Sequence, residues 1–162
     1  MAVYETLEQL SACQAGDISR VEGNIILAGK FATDVDVEAG KVVVSNSDGE
    51  LEYLTASNAE NGITGIVSRT YPAGSGFPAG LKIPKGRLIG VQVHGFILVK
   101  CDGAPKMGNQ AYVYVTADST HAVGDITATP PEADATNIVK LNGYIFSSSG
   151  LTANGLAEVM RL

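Results

Sequence analysis

Three groups of residues in this 162-residue chain have types and spacings that could do chemistry. Asp34, Asp36 and Glu38 alternate with Val35 and Val37, and a period of two puts all three carboxylates on one face of an extended strand. Such a row could bind Ca²⁺. A calcium loop needs Gly at its sixth position and Glu at its twelfth, where this chain has Ala39 and Ser45, so a solvated strand face whose like charges discourage edge pairing is the expectation. The run Gly74 to Gly80, followed by Leu81 and Lys82, resembles a phosphate loop in its glycines. Lys82 comes one place late, no Ser or Thr follows it, and Pro78 lacks the N–H that a phosphate cradle requires. No helical periodicity follows the run, which also excludes a dinucleotide fingerprint. His94, Cys101 and Asp102 could be assembled into base, nucleophile and orienter, because a triad is defined by geometry rather than order. His94, however, shares the half-exposed face of the segment Val91 to Gly95 with Gln92, and His121 follows Asp118 in a polar loop, where an isolated His is expected to be solvated. No converging set of activated groups emerges. Neither catalysis, a metal nor a cofactor is expected.

The elements that would position these residues read as strands. Apolar clusters recur between turn signals at Ile25 to Leu27, Val42 to Val44, Leu51 to Leu54, Ile63 to Val67, Leu88 to Val93, Phe96 to Val99, Ala111 to Val115, Ile138 to Phe146 and Leu156 to Leu162. That punctuation predicts an all-β chain, a small β-barrel or sandwich. Asn46 to Gly49 carries an Asp-Gly pair suited to positive φ and predicts a hairpin between Val42 to Val44 and Leu51 to Leu54. Ile138 to Phe146 is either a hairpin closed by Asn142-Gly143 or one strand with Gly143 at a bulge. The Gly- and Pro-rich stretch Pro72 to Pro84 is predicted as a loop, and residues 117 to 137 as a second long loop with room for a short edge strand. Tyr112 and Tyr114 share one strand face, with Ala111, Val113 and Val115 on the other. The tyrosines form either a second core layer or a subunit interface.

At roughly 100 to 200 residues per domain, the length fits a single domain, residues 16–162, preceded by an N-terminal arm, residues 1–15. In the arm Tyr4, Leu7 and Leu10 recur every three residues, as on a helix face or on a segment that docks on a partner. The start, MAVYETLEQL, lacks the basic and apolar regions of a signal peptide, so synthesis in the cytoplasm is expected. Hydrophobic residues make up 45% and charged residues 17% of the chain, which argues for a folded core. The net charge of −6 opposes binding to phosphate backbones. No apolar run is long enough to cross a bilayer as a helix. Cys13 and Cys101 read as two reduced, buried thiols rather than a redox pair.

Five segments, taken in order, carry a family resemblance: Asn61 to Arg69 (NGITGIVSR), Ile83 to Val93 (IPKGRLIGVQV), Gly103 to Val113 (GAPKMGNQAYV), Leu141 to Phe146 (LNGYIF) and Leu156 to Met160 (LAEVM). Together they resemble the head decoration, or structural cement, proteins of tailed bacteriophages. The likeness spans most of the chain after Gly16 and is weakest in the arm and in 117 to 137. It implies a virion protein on the capsid exterior that binds the major capsid protein, forms a homo-oligomer and stabilises the shell against internal DNA pressure. A homotrimer is favoured over a homodimer, and no catalytic residues, nucleic acid or membrane are implied. Tyr4, Leu7, Leu10, Tyr112 and Tyr114 are the candidate contacts with capsid or sister subunits. Competing readings are a ligand- or glycan-binding β module of a virion or cell surface and a trimeric nucleotide hydrolase. The hydrolase would need the metal cluster and phosphate loop whose spacings fail above.

Overall fold

The structure is a computed structural model that describes residues 14–20, 23–58, 64–69, 82–133 and 135–162. These residues contain no helix and form strands β1 (Ile25–Lys30), β2 (Val37–Glu38), β3 (Val42–Ser45), β4 (Leu51–Tyr53), β5 (Thr64–Val67), β6 (Lys82–Ile83), β7 (Leu88–Asp102), β8 (Gln110–Tyr114), β9 (Ile126–Thr127), β10 (Ile138–Phe146) and β11 (Leu156–Arg161). The protein is therefore all-β, and five of the strands close into a barrel.

The barrel follows from one long strand paired on both sides. The C-terminal half of β7 pairs antiparallel with β11, from Leu156 opposite Lys100 to Arg161 opposite Gly95. On its other side Cys101 and Asp102 pair in parallel with Ile126 and Thr127 of β9. β9 pairs with β8, β8 with β10 and β10 with β11, which completes the ring. Along each strand alternate residues point inward: Ile97, Val99 and Cys101 from β7, Ala111 and Val113 from β8, Ala157 and Val159 from β11. Tyr144, Phe146, Leu141 and Ile126 fill the remaining space.

The N-terminal half of β7 belongs to a second sheet, β1–β7–β5–β3–β4. Beyond β1, Phe31 bridges Leu51 and the Ala32 amide donates to the Leu51 carbonyl at 2.7 Å, so the end of this sheet curls back onto β4. Its inner face, with the small β2–β6 pair, encloses a second core of Phe31, Val37, Val43, Leu51, Val67, Ile83, Ile89 and Val91. Phe31 and Tyr53 meet edge to face there, with ring centroids 5.0 Å apart. β3 and β5 form the wall between the cores. Val42, Val44 and Ile66 face the barrel, whereas Val43 and Val67 face the second core. Burial on both faces explains why Val42 to Val44 is an unbroken apolar run instead of an alternating one.

The Asn46 to Gly49 hairpin forms as the sequence predicts. β3 and β4 pair from Ser45 opposite Leu51 to Val43 opposite Tyr53, and Asn46 Oδ1 accepts from the amides of Asp48 and Glu50. Ile138 to Phe146 takes the second of its two alternatives, one strand with a bulge. Its register against β8 slips between Lys140 and Ile145, with Gly143 at φ +82°. The slip would leave carbonyls unpaired, and the Gln110 side-chain amide donates to those of Leu141 (2.8 Å) and Tyr144 (2.9 Å).

Three expectations need correction. Leu88 to Val93 and Phe96 to Val99 are one strand, because Gly95 at φ +100° lets the chain bend from one sheet into the other without leaving the ladder. The short strand within residues 117 to 137, β9, is no edge: it sits between β7 and β8 and closes the barrel, with Ile126 in the core. The loop predicted over Pro72 to Pro84 ends early, because Lys82 and Ile83 pair with Glu38 and Val37. Its residues 72–81 lie outside the described residues.

Candidate functional site

The carboxylate row does not lie along one strand. Only Val37 and Glu38 are in β2, and the chain bends through residues 32–35. Asp34 and Glu38 are paired with lysines, and Asp36 accepts from a backbone amide. Lys85 Nζ lies 2.9 Å from Asp34 Oδ2, the Lys85 amide donates to Asp36 Oδ1 at 3.1 Å, and Glu38 lies 3.6 Å from Lys41 Nζ and 3.9 Å from Lys82 Nζ. Lys82, the lysine of the Gly-rich run, is thus an ion-pair partner on β6. Among the described residues no group of three or more His, Cys, Asp or Glu is arranged to hold a metal ion.

The hypothetical triad is dispersed. His94 and Cys101 lie on one strand seven residues apart, roughly 20 Å at the rise of a strand. Cys101 is buried, and burial, followed by the neighbouring Asp102 charge, pushes its thiol up to about 12, so it remains protonated and unreactive. Cys13 lies outside the described residues, as do Tyr4, Leu7 and Leu10.

What the fold does assemble around Asp102 is a different set. Tyr114, at the end of β8, is 6% exposed, and the imidazole of His121 lies flat on its ring, with centroids 4.1 Å apart and planes within 7°. Tyr114 donates its hydroxyl to Asp102 Oδ2 at 3.3 Å. The same oxygen lies 3.3 Å from His121 Nε2, while His121 Nδ1 lies 2.9 Å from Asp118 Oδ2. Asp118 also accepts from the amides of Thr120 (2.7 Å) and His121 (2.8 Å), which curls residues 118 to 121 around its carboxylate. Hydrogen bonds from the His121 ring and these amides hold the Asp118 carboxyl far below the usual carboxylate range. The Asp118 bond in turn raises the His121 pKa. Asp125, at the end of the loop, accepts from the Ala122 amide at 2.7 Å and is paired with Lys41. This is a structural clasp of an aromatic ring, two flanking acids and a tied loop. Tyr112 is half-buried on the same strand face, while Ala111, Val113 and Val115 fill the barrel. Of the two tyrosines, Tyr114 is covered by its own chain. Sequence spacing gave no sign of His121 meeting Asp102; only the pairing of β7 with β9 brings that loop to the strand.

A second surface carries exposed apolar side chains. Ile25 (52%), Ile26 and Leu27 follow one another along β1, and Leu88 (71%) stands opposite Lys30 on β7. Among the described residues β1 has β7 as its only strand partner, and from Ile25 to Gly29 it carries neither charge nor proline, the usual protections of an edge.

Comparisons with known proteins give the family. No match is found among curated proteins. A chain of the solved structure described as "The capsid of Myoviridae Phage XM1" has the same fold, with a TM-score of 0.68 at 20% sequence identity, over 99% of this chain and 97% of that one. The profile of the XM1 gp53 minor capsid protein family matches residues 1–160. A match over nearly the whole length places the chain in the XM1 gp53 minor capsid protein family, among the structural proteins of phage capsids.

Proposed function

We propose that this capsid protein is a decoration, or cement, protein: it binds the outer face of the major capsid shell as a homo-oligomer and strengthens the shell against internal DNA pressure. The observation that carries this reading is the stretch Ile25 to Gly29 of β1, uncharged and without a second strand partner among the described residues, with Ile25, Ile26, Leu27 and Leu88 exposed, on a chain of a minor capsid family. An apolar edge of this kind is a liability in a free monomer and an asset where a neighbour covers it. Modest contacts suffice. Millimolar affinity per site is about −4 kcal/mol, and an oligomer that engages several capsid subunits at once multiplies such sites into firm attachment. A trimer at local threefold positions is favoured over a dimer at twofold positions, with Tyr4, Leu7, Leu10 and Tyr112 as contact residues. The acidic charge, −6, keeps the protein off the packaged DNA, and no helix among the described residues is long and apolar enough to cross a membrane.

The test is attachment to undecorated capsids, measured by cosedimentation. Wild-type protein should saturate the shell at a fixed number of copies per capsid subunit, and Leu27→Asp together with Leu88→Asp should raise the apparent Kd at least about tenfold, a loss of about 1.4 kcal/mol per oligomer. Deleting residues 1–12 should also weaken attachment. Failure of the folded wild-type protein to cosediment would reject the role, and unchanged occupancy after the deletion would reject the arm as a contact.

A further inference from the structure

We infer that His121 is a pH-operated latch that fastens the 118–122 loop over Tyr114 at the end of the barrel. The argument is one of donors and acceptors. Each ring nitrogen faces a carboxylate: Nδ1 lies 2.9 Å from Asp118 Oδ2 and Nε2 lies 3.3 Å from Asp102 Oδ2. Carboxylates only accept, and a neutral imidazole has a single N–H, so the Nδ1 hydrogen bond to Asp118 and an attractive charge contact of Nε2 with Asp102 coexist only when the ring carries both protons. Remove one, and a nitrogen lone pair confronts a carboxylate. Thr120 Oγ1, 2.9 Å from Nδ1, can donate to the bare nitrogen only by giving up its 3.0 Å bond to Asp118 Oδ1, and the Asp118 charge stays in place. Asp102 has little to fall back on, because its Oδ1 is buried without a hydrogen-bond partner and its Oδ2 would keep the Tyr114 hydroxyl alone.

The groups facing the ring agree in sign. Asp118 belongs to its own loop, Asp102 to β7 and Tyr114 to β8. Asp125 approaches from the far end of the loop, and its charge is largely answered by Lys41 ahead of β3. The Asp118 hydrogen bond favours the imidazolium most, burial opposes it, and the charges of Asp118, Asp102 and Asp125 add to the first, leaving the His121 pKa raised. A raised pKa in the closed state means that closure is fully supported below the ordinary histidine value of about 6.5 and weakens as pH rises through the higher, closed-state value. For each unit between the two values the open population grows about tenfold. Opening lifts the imidazole from the Tyr114 ring and presents an aromatic face that the closed loop hides. The latch is a property of the free chain and does not depend on capsid attachment.

The experiment is solution NMR on the full chain between pH 5 and 9. The His121 ring signals, identified by their loss in His121→Phe, should titrate with a midpoint above 6.5, and Asp118→Asn should lower that midpoint. Exchange protection of the Thr120 and His121 amides, corrected for intrinsic base catalysis, should fall across the same midpoint in wild type and be low throughout in His121→Phe, which keeps the ring stack without either donor. A midpoint at or below 6.5, or amide protection that does not change through the titration, would overturn the latch. Both readings come from the wild-type protein, so they stand if the Phe variant fails to fold; the ring signals are then identified from Asp118→Asn.

Discussion

The strand that joins the two sheets turns on Gly95, and Gly95→Ala tests whether that turn holds the fold together. At φ +100° a residue with a Cβ pays a backbone penalty of about 1–2 kcal/mol. An alanine Cβ would also lie 2.2 Å from Asn24 Oδ1 and 2.8 Å from Asn24 Cα. The first overlap is relieved by swinging the Asn24 amide away, but that oxygen accepts from the Phe96 amide at 2.9 Å, and losing the bond costs about 1 kcal/mol more. The second overlap is with backbone and requires a shift of the chain leading into β1. The sum is roughly 2–4 kcal/mol, which for a domain of this size lowers Tm by roughly 5–15 °C. The control is Gly49→Ala, where φ is +78° and nothing lies within 4 Å of the added methyl, so only the backbone penalty applies. Calorimetry of both variants isolates the steric part. If Gly95→Ala loses no more stability than Gly49→Ala, the bend does not depend on close approach to Asn24 and the account of β7 as a shared spine is wrong.

Tyr144, fully buried in the barrel, donates its hydroxyl to the Gln92 carbonyl at 2.9 Å, so Tyr144→Phe should cost about 1–2 kcal/mol in urea unfolding with an unchanged m-value. Gln110→Ala strips the donor from the Leu141 and Tyr144 carbonyls at the bulge; a loss of about 1–3 kcal/mol, with slowest-exchanging β10 amides becoming labile, is expected. Glu158 is 7% exposed at its side chain and is held by a two-pronged contact from Arg20 and by the Ser147 hydroxyl. Burial pushes its pKa up, but these hydrogen bonds outweigh burial and leave it below the ordinary value. Its stabilisation is therefore present above about pH 4.5 and lost as pH falls through the lower folded value. Arg20→Met should remove about 1–3 kcal/mol at pH 7, less than a fully buried pair because Arg20 is 42% exposed, and the deficit relative to wild type should shrink toward pH 4. A deficit that is constant with pH would contradict the ion pair.

Local chemistry made part of this fold legible before any coordinates. Asn46 to Gly49 carries its own turn instructions, whereas Val42 to Val44 reads only as a strand, and its burial on two faces appears once the sheets are placed. Gly143 left two alternatives open because a glycine with positive φ serves a turn and a bulge equally well; Gln110, more than thirty residues away, supports the bulge. Gly95 read as a break for the same reason, although it permits a strand to bend while still paired on both sides. β9 has only two residues, too few for periodicity, and exists because β7 and β8 leave a gap that Ile126 fills. The ion pair of Asp34 with Lys85, the hydrogen bond from the Lys85 amide to Asp36, and the clasp around His121 join residues that are close only after the sheets have formed. The exposed Ile25 to Leu27 has the composition of any buried strand, and only its exposure on a strand with a single partner among the described residues sets it apart.

The central claim is that this capsid protein works by holding neighbours together. It is tested most directly by the temperature at which undecorated, DNA-filled capsids release their contents, measured with and without saturating protein. The account expects release to move to higher temperature with the folded wild-type protein and to return toward the undecorated value with the Leu27→Asp, Leu88→Asp variant. Capsids that bind the protein to saturation yet release DNA at an unchanged temperature would contradict it.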